Sequence, residues 1–181
     1  MDQKTALLIV DVQVGVMEDL WESDRIVASI QNLIVKARAR NAPIIWVQHE
    51  EDEGLVRGSE VWKIVPDLTP ASEDSRIYKK FNSSFEDTAL DETLRQLKVN
   101  HIVLAGAASN WCIRATAYGA LCRGYNLTMA ADAHTTADMD FENGGSVSAE
   151  QIINELNTVM NWVGYPGVKS RSFPSTEISF V

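Results

Sequence analysis

The sequence predicts an α/β protein of three layers, in which helices cover both faces of a mostly parallel, doubly wound sheet. Short apolar runs, typical of strands buried on both faces, alternate along the chain with longer segments of helical periodicity. Such alternation is typical of parallel strands joined by crossover helices. The 181 residues suffice for one core, and no repeat or linker divides them. We therefore expect a single domain over residues 1–181.

The predicted strands are short runs dominated by apolar or β-branched residues. In chain order they cover residues 6–10, 44–47, 76–80, 101–105, 126–131 and 168–170. Helices are predicted where apolar residues recur at helical spacing after a polar start signal. The expected starts are a Ser23 cap, the turn at residues 82–84, Trp111 with Cys112, and a capping box of Ser148 with Gln151.

Composition excludes several classes of function. The chain carries 16 Lys and Arg against 25 Asp and Glu, a net charge of −9, so it lacks the basic footprint of a nucleic-acid-binding protein. No apolar run reaches the length of about 20 residues that a membrane span needs. The N-terminus shows no signal-peptide pattern, which predicts a cytoplasmic protein. Cys112 and Cys122 are too far apart on one predicted helix to pair, so both are expected as free thiols.

Three loops are expected to shape a ligand pocket, because loops carry specificity in such folds. They cover residues 15–22, 50–75 and 135–146. The second is long, irregular and rich in Gly and Pro, which is typical of a functional loop or lid. Its Trp62 either faces the ligand or anchors the loop.

Residues 101–116 (HIVLAGAASNWCIRAT) form the most informative stretch. They are predicted to run from a buried strand through a turn of small residues into a helix that begins at Trp111 and Cys112. The first turn of a helix concentrates unpaired N–H groups and the positive end of the dipole, which favours the nucleophilic thiolate. The alternative is a buried structural cysteine. Cys122, near the helix end, is expected to be inert packing.

Two further polar side chains follow predicted strands at the same edge of the sheet as Cys112. Asp11 follows the first strand, and Lys79 or Lys80 ends the third. Neighbours on a strand point to opposite faces, so only one lysine can reach the site. Strand carboxyl ends converge on one crevice in a doubly wound sheet. There a carboxylate can take the thiol proton while an ammonium group holds the thiolate.

Three motifs in the correct order carry a family resemblance: D-x-Q at residues 11–13, K-x-x-x-S-x-F-x-x-T at 79–88, and G-x-x-S-x-x-C at 106–112. The chain resembles the isochorismatase-like cysteine hydrolases over nearly its whole length. The resemblance implies the isochorismatase-like hydrolase fold and a catalytic triad of Asp11, Lys79 and Cys112. Lys79 fits the family spacing of four residues before Ser83, with Lys80 as the fallback.

The resemblance also implies a covalent mechanism on a small-molecule substrate. Asp11 would act as general base towards Cys112, a thioester would form, and the backbone N–H groups of Trp111 and Cys112 would form the oxyanion hole. A non-proline cis peptide is expected between Ala107 and Ala108. Gln13, Trp62 and Trp111 are the expected substrate contacts. No cofactor is implied, and a homodimer or homotetramer is expected.

The departures from the family pattern narrow the predicted chemistry. The nicotinamidase branch binds a metal through an Asp-x-His pair, whereas here His49 stands alone, so no metal site is expected. Isochorismatases that cleave a vinyl ether typically lack the cysteine, so Cys112 favours hydrolysis of a C–N bond in a carboxamide or ureido compound. The alternatives are a vinyl-ether hydrolase and a non-catalytic ligand-binding or thiol-sensing protein. His134 is expected to make structural hydrogen bonds.

Overall fold

The computed structural model describes residues 3–181, so residues 1 and 2 of the predicted domain lie outside the described residues. One six-stranded sheet contains β1 (Thr5–Val10), β2 (Ile44–His49), β3 (Ser75–Lys79), β4 (His101–Ala107), β5 (Asn126–Thr135) and β8 (Ser170–Phe173). Every neighbouring pair is parallel, in the order β3-β2-β1-β4-β5-β8. Two short antiparallel strands, β6 (Met139–Asp140) and β7 (Ser146–Val147), form a separate ribbon. The predicted α/β fold class is therefore confirmed.

The helices connect these strands on both faces of the sheet. They are α1 (Val14–Met17), α2 (Ser23–Ala39), α3 (Leu90–Gln96), α4 (Arg114–Cys122) and α5 (Ala149–Trp162), with a π-helical turn at Ser109–Ile113 before α4. The predicted capping box of α5 is confirmed, since the Gln151 N–H donates to the Ser148 side chain. The predicted Ser23 cap is wrong, because Glu22 occupies the cap position with φ of 49° and Ser23 is already helical.

The two halves of the core explain the hydrophobic pattern of β1. Its residues alternate between the two faces of the sheet. Leu7 and Ile9 pack against α2 in one cluster, whereas Leu8 and Val10 pack with residues of α3, α4 and α5 in the other. Because both faces are covered, the strand is a continuous apolar run.

Each of the six strands differs from its predicted range at one end or both. For the last and the third strand, pairing with a neighbouring strand selects the register. The last strand pairs Ser170 to Phe173 with β5, while Val168 instead bridges to Tyr165. The third strand ends at Lys79, so Lys80 lies beyond it. Within residues 3–181, no helix combines the length and the apolar character needed to cross a bilayer.

The chain reverses its winding direction between the two central strands. From β1 it proceeds outwards through β2 and β3, returns to β4 on the other side of β1, and then continues to β5. The carboxyl ends of β1 and β4 therefore flank a topological switch point, which is where ligands bind in open α/β sheets. Asp11 follows β1 and Cys112 follows β4 at this edge.

Replacing Gly106 with alanine is expected to destabilise the fold strongly. Gly106 has φ of +123°, and a Cβ atom there would lie 2.0 Å from the Val10 carbonyl oxygen on the paired strand. We expect the free energy of unfolding to fall by more than about 3 kcal/mol. Gly124→Ala is the matched control, because its φ is +88° but nothing lies within 4 Å, and about 1 kcal/mol is expected. Equal losses in urea denaturation would contradict the close approach as the cause.

Candidate active site

Asp11 lies at the floor of the switch point, directly after β1. Its side chain is 2% exposed, and its Oδ2 atom lies 2.6 Å from the Lys79 ammonium nitrogen. Its φ of 53° lies in the left-handed region, which is uncommon for a non-glycine residue. Burial raises the pKa of this carboxyl, although the Lys79 charge and hydrogen bonds from Lys79 and Cys112 oppose the shift. A carboxylate with a raised pKa is a better proton acceptor than an exposed one.

Lys79 reaches this carboxylate from the end of β3 with a side chain that is fully buried. Its Nζ atom lies 2.6 Å from Asp11 Oδ2, 3.1 Å from His49 Nδ1 and 3.2 Å from Cys112 Sγ. An ammonium group has three N–H donors, so these partners occupy all of them. Lys80 instead points to solvent and forms an exposed ion pair with Asp52. The structure thus brings Lys79, and not Lys80, to Asp11 and Cys112.

Cys112 lies in the π-helical turn, partly buried, with its Sγ atom near both charges. Burial and the negative charge of Asp11 raise the pKa of the thiol to about 12, outweighing the Lys79 charge. The expectation that the helix terminus favours a thiolate is therefore wrong for the free site. The site instead holds a neutral thiol beside a carboxylate, so deprotonation is coupled to proton transfer rather than completed beforehand.

A cleft of about 230 Å³ opens above these groups. Its lining includes Asp11, Cys112, His49, Glu51 and Trp111. Trp111 is 55% exposed and lines the cleft together with Cys112. A small carbonyl compound in this cleft would lie next to the thiol with one aromatic wall.

The other two expected substrate contacts, Gln13 and Trp62, do not line this cleft. Gln13 is fully buried; its amide nitrogen donates to the carbonyls of His49 and Trp62, and its oxygen accepts from the His49 N–H. The Trp62 ring packs against Tyr78 at 5.7 Å. Both residues hold the end of β2 and the following loop in place, and their contact with substrate stays a prediction.

The nucleophile turn follows a cis peptide bond between Ala107 and Ala108. The Trp111 N–H donates to the Ala108 carbonyl at 3.0 Å, and the Ile113 N–H donates to the same oxygen at 3.1 Å. The Trp111 N–H is therefore engaged in this structure. The oxyanion role expected for the Trp111 and Cys112 N–H groups stays a prediction.

His49 is a site residue, and its contact with Lys79 was not expected from the sequence. It ends β2 opposite Lys79 in the parallel register. Because its Nδ1 atom accepts from the Lys79 ammonium, its proton lies on Nε2, which donates to Glu51 Oε1 at 3.0 Å. One signal in the sequence could have indicated this contact. His49 is a polar residue at the end of β2, and β2 lies between β1 and β3 in the sheet.

His134 makes structural hydrogen bonds behind the nucleophile turn, as the sequence favoured. It is fully buried. Its Nδ1 atom lies 2.8 Å from Ser109 Oγ, and its Nε2 atom lies 3.1 Å from Asn157 Oδ1. Asn157 in turn donates to the Ala131 carbonyl and accepts from Ser172 Oγ. This series of hydrogen bonds connects the start of the π-helical turn to α5 and β8.

Burial lowers the pKa of His134 to about 4, from the usual histidine value of 6.5. Between about pH 6.5 and pH 4, His134 is therefore protonated in the unfolded chain but not in the folded chain. The contribution of His134 to stability is complete above pH 6.5 and is lost as the pH falls, by about 3 kcal/mol in total. We expect His134→Gln to flatten the pH dependence of unfolding relative to the native chain in this range. Parallel curves would contradict the assignment.

Outside the cleft, the second cysteine differs from its prediction. Cys122 is exposed rather than packed, because it falls on the solvent side of the last turn of α4.

Among residues 3–181, no group of three or more His, Cys, Asp or Glu side chains is arranged to hold a metal ion.

The fold and the arrangement of Cys112 over the buried Lys79–Asp11 pair define an α/β protein with a thiol at its switch point. The isochorismatase domain model matches residues 5–161. The chain belongs to the isochorismatase family.

Curated relatives and solved structures extend this result. The chain is 31% identical over 140 residues to a streptothricin hydrolase of Streptomyces noursei, covering 74% of this chain and 55% of the relative. It is 33% identical over 109 residues to the ureidoacrylate amidohydrolase RutB of Caulobacter vibrioides, covering 60% and 46%. The chain thus spans about half the length of these two relatives. A solved isochorismatase from Pseudomonas putida KT2440 superposes with a TM-score of 0.87 at 27% identity, covering 96% and 89%.

Proposed function

We propose that this protein is a cysteine hydrolase that cleaves a C–N bond of a small carboxamide or ureido compound through a thioester on Cys112. One observation carries the proposal. The buried ammonium of Lys79 contacts both Asp11 Oδ2 and Cys112 Sγ at the floor of an open cleft. A base, a nucleophile and a charge that stabilises both therefore lie within contact distance.

In the first half of the reaction, Asp11 takes the proton of the Cys112 thiol as the sulfur attacks the substrate carbonyl carbon. Concerted transfer suits the geometry, because the thiol has a raised pKa and the carboxylate lies beside it. Lys79 offsets the negative charge as that charge leaves Asp11 and passes through the attacking sulfur to the substrate carbonyl oxygen. The tetrahedral intermediate then collapses, the C–N bond breaks, and Asp11 returns the proton to the departing ammonia or amine.

In the second half, water replaces the amine in the cleft. Asp11, again a carboxylate, takes a proton from that water as its oxygen attacks the thioester carbonyl. The C–S bond breaks, the sulfur recovers a proton from Asp11, and the carboxylic or carbamic acid departs. The cycle restores the neutral thiol and the Asp11–Lys79 pair, so no external oxidant, reductant or metal is consumed.

The names of the relatives support this reaction class. RutB is named an amidohydrolase, and streptothricin hydrolase is named a hydrolase. The isochorismatase domain model covers most of this chain. The thiol at the cleft floor favours amide chemistry over the vinyl-ether alternative, in which the sulfur would have no part.

The test is ammonia release from a panel of small carboxamides and ureido compounds by reduced protein, with and without chelator. We expect turnover that survives the chelator, together with a covalent acyl adduct on Cys112 detected by intact-mass spectrometry after rapid quenching. Turnover that the chelator abolishes would contradict the mechanism. The mechanism would also be contradicted if the substrate turned over at low temperature, where a thioester adduct should hydrolyse slowly, and no adduct on Cys112 were detected.

A further inference from the structure

The charged residues that line the cleft include carboxylates but no lysine or arginine of the described residues. The two carboxylates are Asp11 and Glu51. Lys79 lies beneath the floor with a fully buried side chain and three engaged donors. Its charge is therefore committed to Asp11, His49 and Cys112. An anionic substrate would find no free cationic side chain in this lining.

Glu51 is the carboxylate that faces an incoming molecule. Its side chain is 54% exposed, whereas that of Asp11 is 2% exposed. Its hydrogen-bond partner is His49, and that imidazole is neutral because its other nitrogen accepts from the Lys79 ammonium. The negative charge of Glu51 is thus hydrogen-bonded but not neutralised.

The two acidic residues directly next to Glu51 are different, because cationic side chains already pair with them. Glu50 pairs with Arg57, which also stacks over the Tyr78 ring. Asp52 pairs with Lys80. Of these three consecutive acidic residues, Glu51 is the one that lines the cleft and has no lysine or arginine partner in the described chain.

The aromatic wall fits the same ligand chemistry. Trp111 lines the cleft with Glu51 and is 55% exposed. An indole face attracts cations, and a nearby carboxylate adds an ion pair. Together they are suited to an ammonium or guanidinium group and unsuited to a carboxylate.

We propose that the cleft selects amides that carry a positively charged group near the scissile carbonyl and discriminates against anionic ones, with Glu51 as the specificity-determining residue. The choice of amides rests on the proposed function, whereas the selection of charge does not. The two are therefore tested separately, first by a reaction of Cys112 that needs no turnover.

The first experiment measures how fast Cys112 reacts with methanethiosulfonates that carry 2-aminoethyl, methyl or 2-sulfonatoethyl groups. The sulfur displaces methanesulfinate and forms a mixed disulfide, and each rate is normalised to that of a small free thiol. Cys122 is exposed, so Cys122→Ser serves as the background. We expect the cationic reagent to react about tenfold faster than the anionic one at low salt, with the preference shrinking as salt screens Glu51.

Glu51→Gln is expected to remove most of that preference. Glu53→Gln is the matched control, because it removes the same charge from an exposed position two residues away that does not line the cleft. If Glu51 served only to hold His49, its replacement would change all three rates by the same factor. The proposal would be overturned if the three reagents reacted at equal normalised rates with the protein that keeps Glu51. It would also be overturned if Glu51→Gln and Glu53→Gln changed the charge preference equally.

The second experiment compares ammonia release from ω-amino amides, alkyl amides of equal length and ω-carboxy amides. We expect the highest kcat/KM for the cationic series, with Glu51→Gln lowering it selectively. Charge preference in the thiol reaction without turnover of any amide would overturn the proposed function and leave the charge selection standing. Turnover of all three series at equal kcat/KM, with no charge preference at the thiol, would overturn the charge selection alone.

Discussion

Replacing Cys112 with alanine is expected to lower kcat/KM for the proposed amide hydrolysis by about 10⁴-fold or more, because no other side chain can form the thioester. The sulfur lines the cleft and contacts Lys79 at 3.2 Å, so the loss removes the nucleophile without removing the buried ion pair beneath it. The fold is expected to persist, and thermal unfolding measures that in parallel with activity.

Two further substitutions sharpen this test. Cys112→Ser keeps a nucleophile of similar shape but of higher pKa, so a loss of comparable size is expected. Cys122→Ala removes the exposed thiol outside the cleft and should leave kcat/KM unchanged. Full amide hydrolysis by Cys112→Ala would contradict thioester chemistry. Full activity of the same variant on isochorismate would instead select the vinyl-ether alternative, in which Asp11 acts as the acid.

Replacing Lys79 with methionine is expected to lower the free energy of unfolding by about 3–5 kcal/mol, because it leaves the Asp11 carboxylate buried without its counter-charge. The two side chains are 0% and 2% exposed and lie 2.6 Å apart. Asp11→Asn should cost a comparable amount by leaving the ammonium unpaired. Chemical denaturation of each single variant measures these losses.

The double variant Asp11→Asn with Lys79→Met separates stability from catalysis. It contains no unpaired charge, so we expect it to recover much of the stability that either single variant loses. It should stay inactive, because the base and the ammonium are both gone. Lys80→Met is the control, since its ion pair with Asp52 is exposed and should contribute less than about 1 kcal/mol. Additive losses in the cycle would show that the pair is not coupled.

Much of the fold could be predicted because the relevant signals are local. The run at β1 is apolar throughout since both faces of that strand are covered. The capping box of α5 depends on two residues three positions apart. Where the local signal was ambiguous, the prediction failed. The chain enters α2 through a left-handed Glu22, so Ser23 comes one residue too late to act as a cap.

The placement of Asp11, Lys79 and Cys112 could also be anticipated, because each residue lies at or beyond the end of a strand and parallel strand ends share one edge of the sheet. What the sequence could not provide was the environment of these groups. The positive end of a helix argues for a thiolate, but burial and the Asp11 charge raise the pKa of Cys112 to about 12. Electrostatics at a buried site depends on every charge nearby, and those charges come from distant parts of the chain.

Residue order and local physical chemistry were sufficient to predict the alternation of strands and helices, the parallel sheet, and the placement of Asp11, a lysine and Cys112 at one edge of it. The family resemblance selected Lys79 over Lys80. The partners of those side chains could not be predicted from the sequence. The neutral acceptor His49, the inward-facing Gln13 and the uncompensated charge of Glu51 follow from register between strands and from the path of an irregular loop. Register and loop path depend on packing summed over the whole molecule, whereas strand and helix tendencies are encoded over a few neighbouring residues.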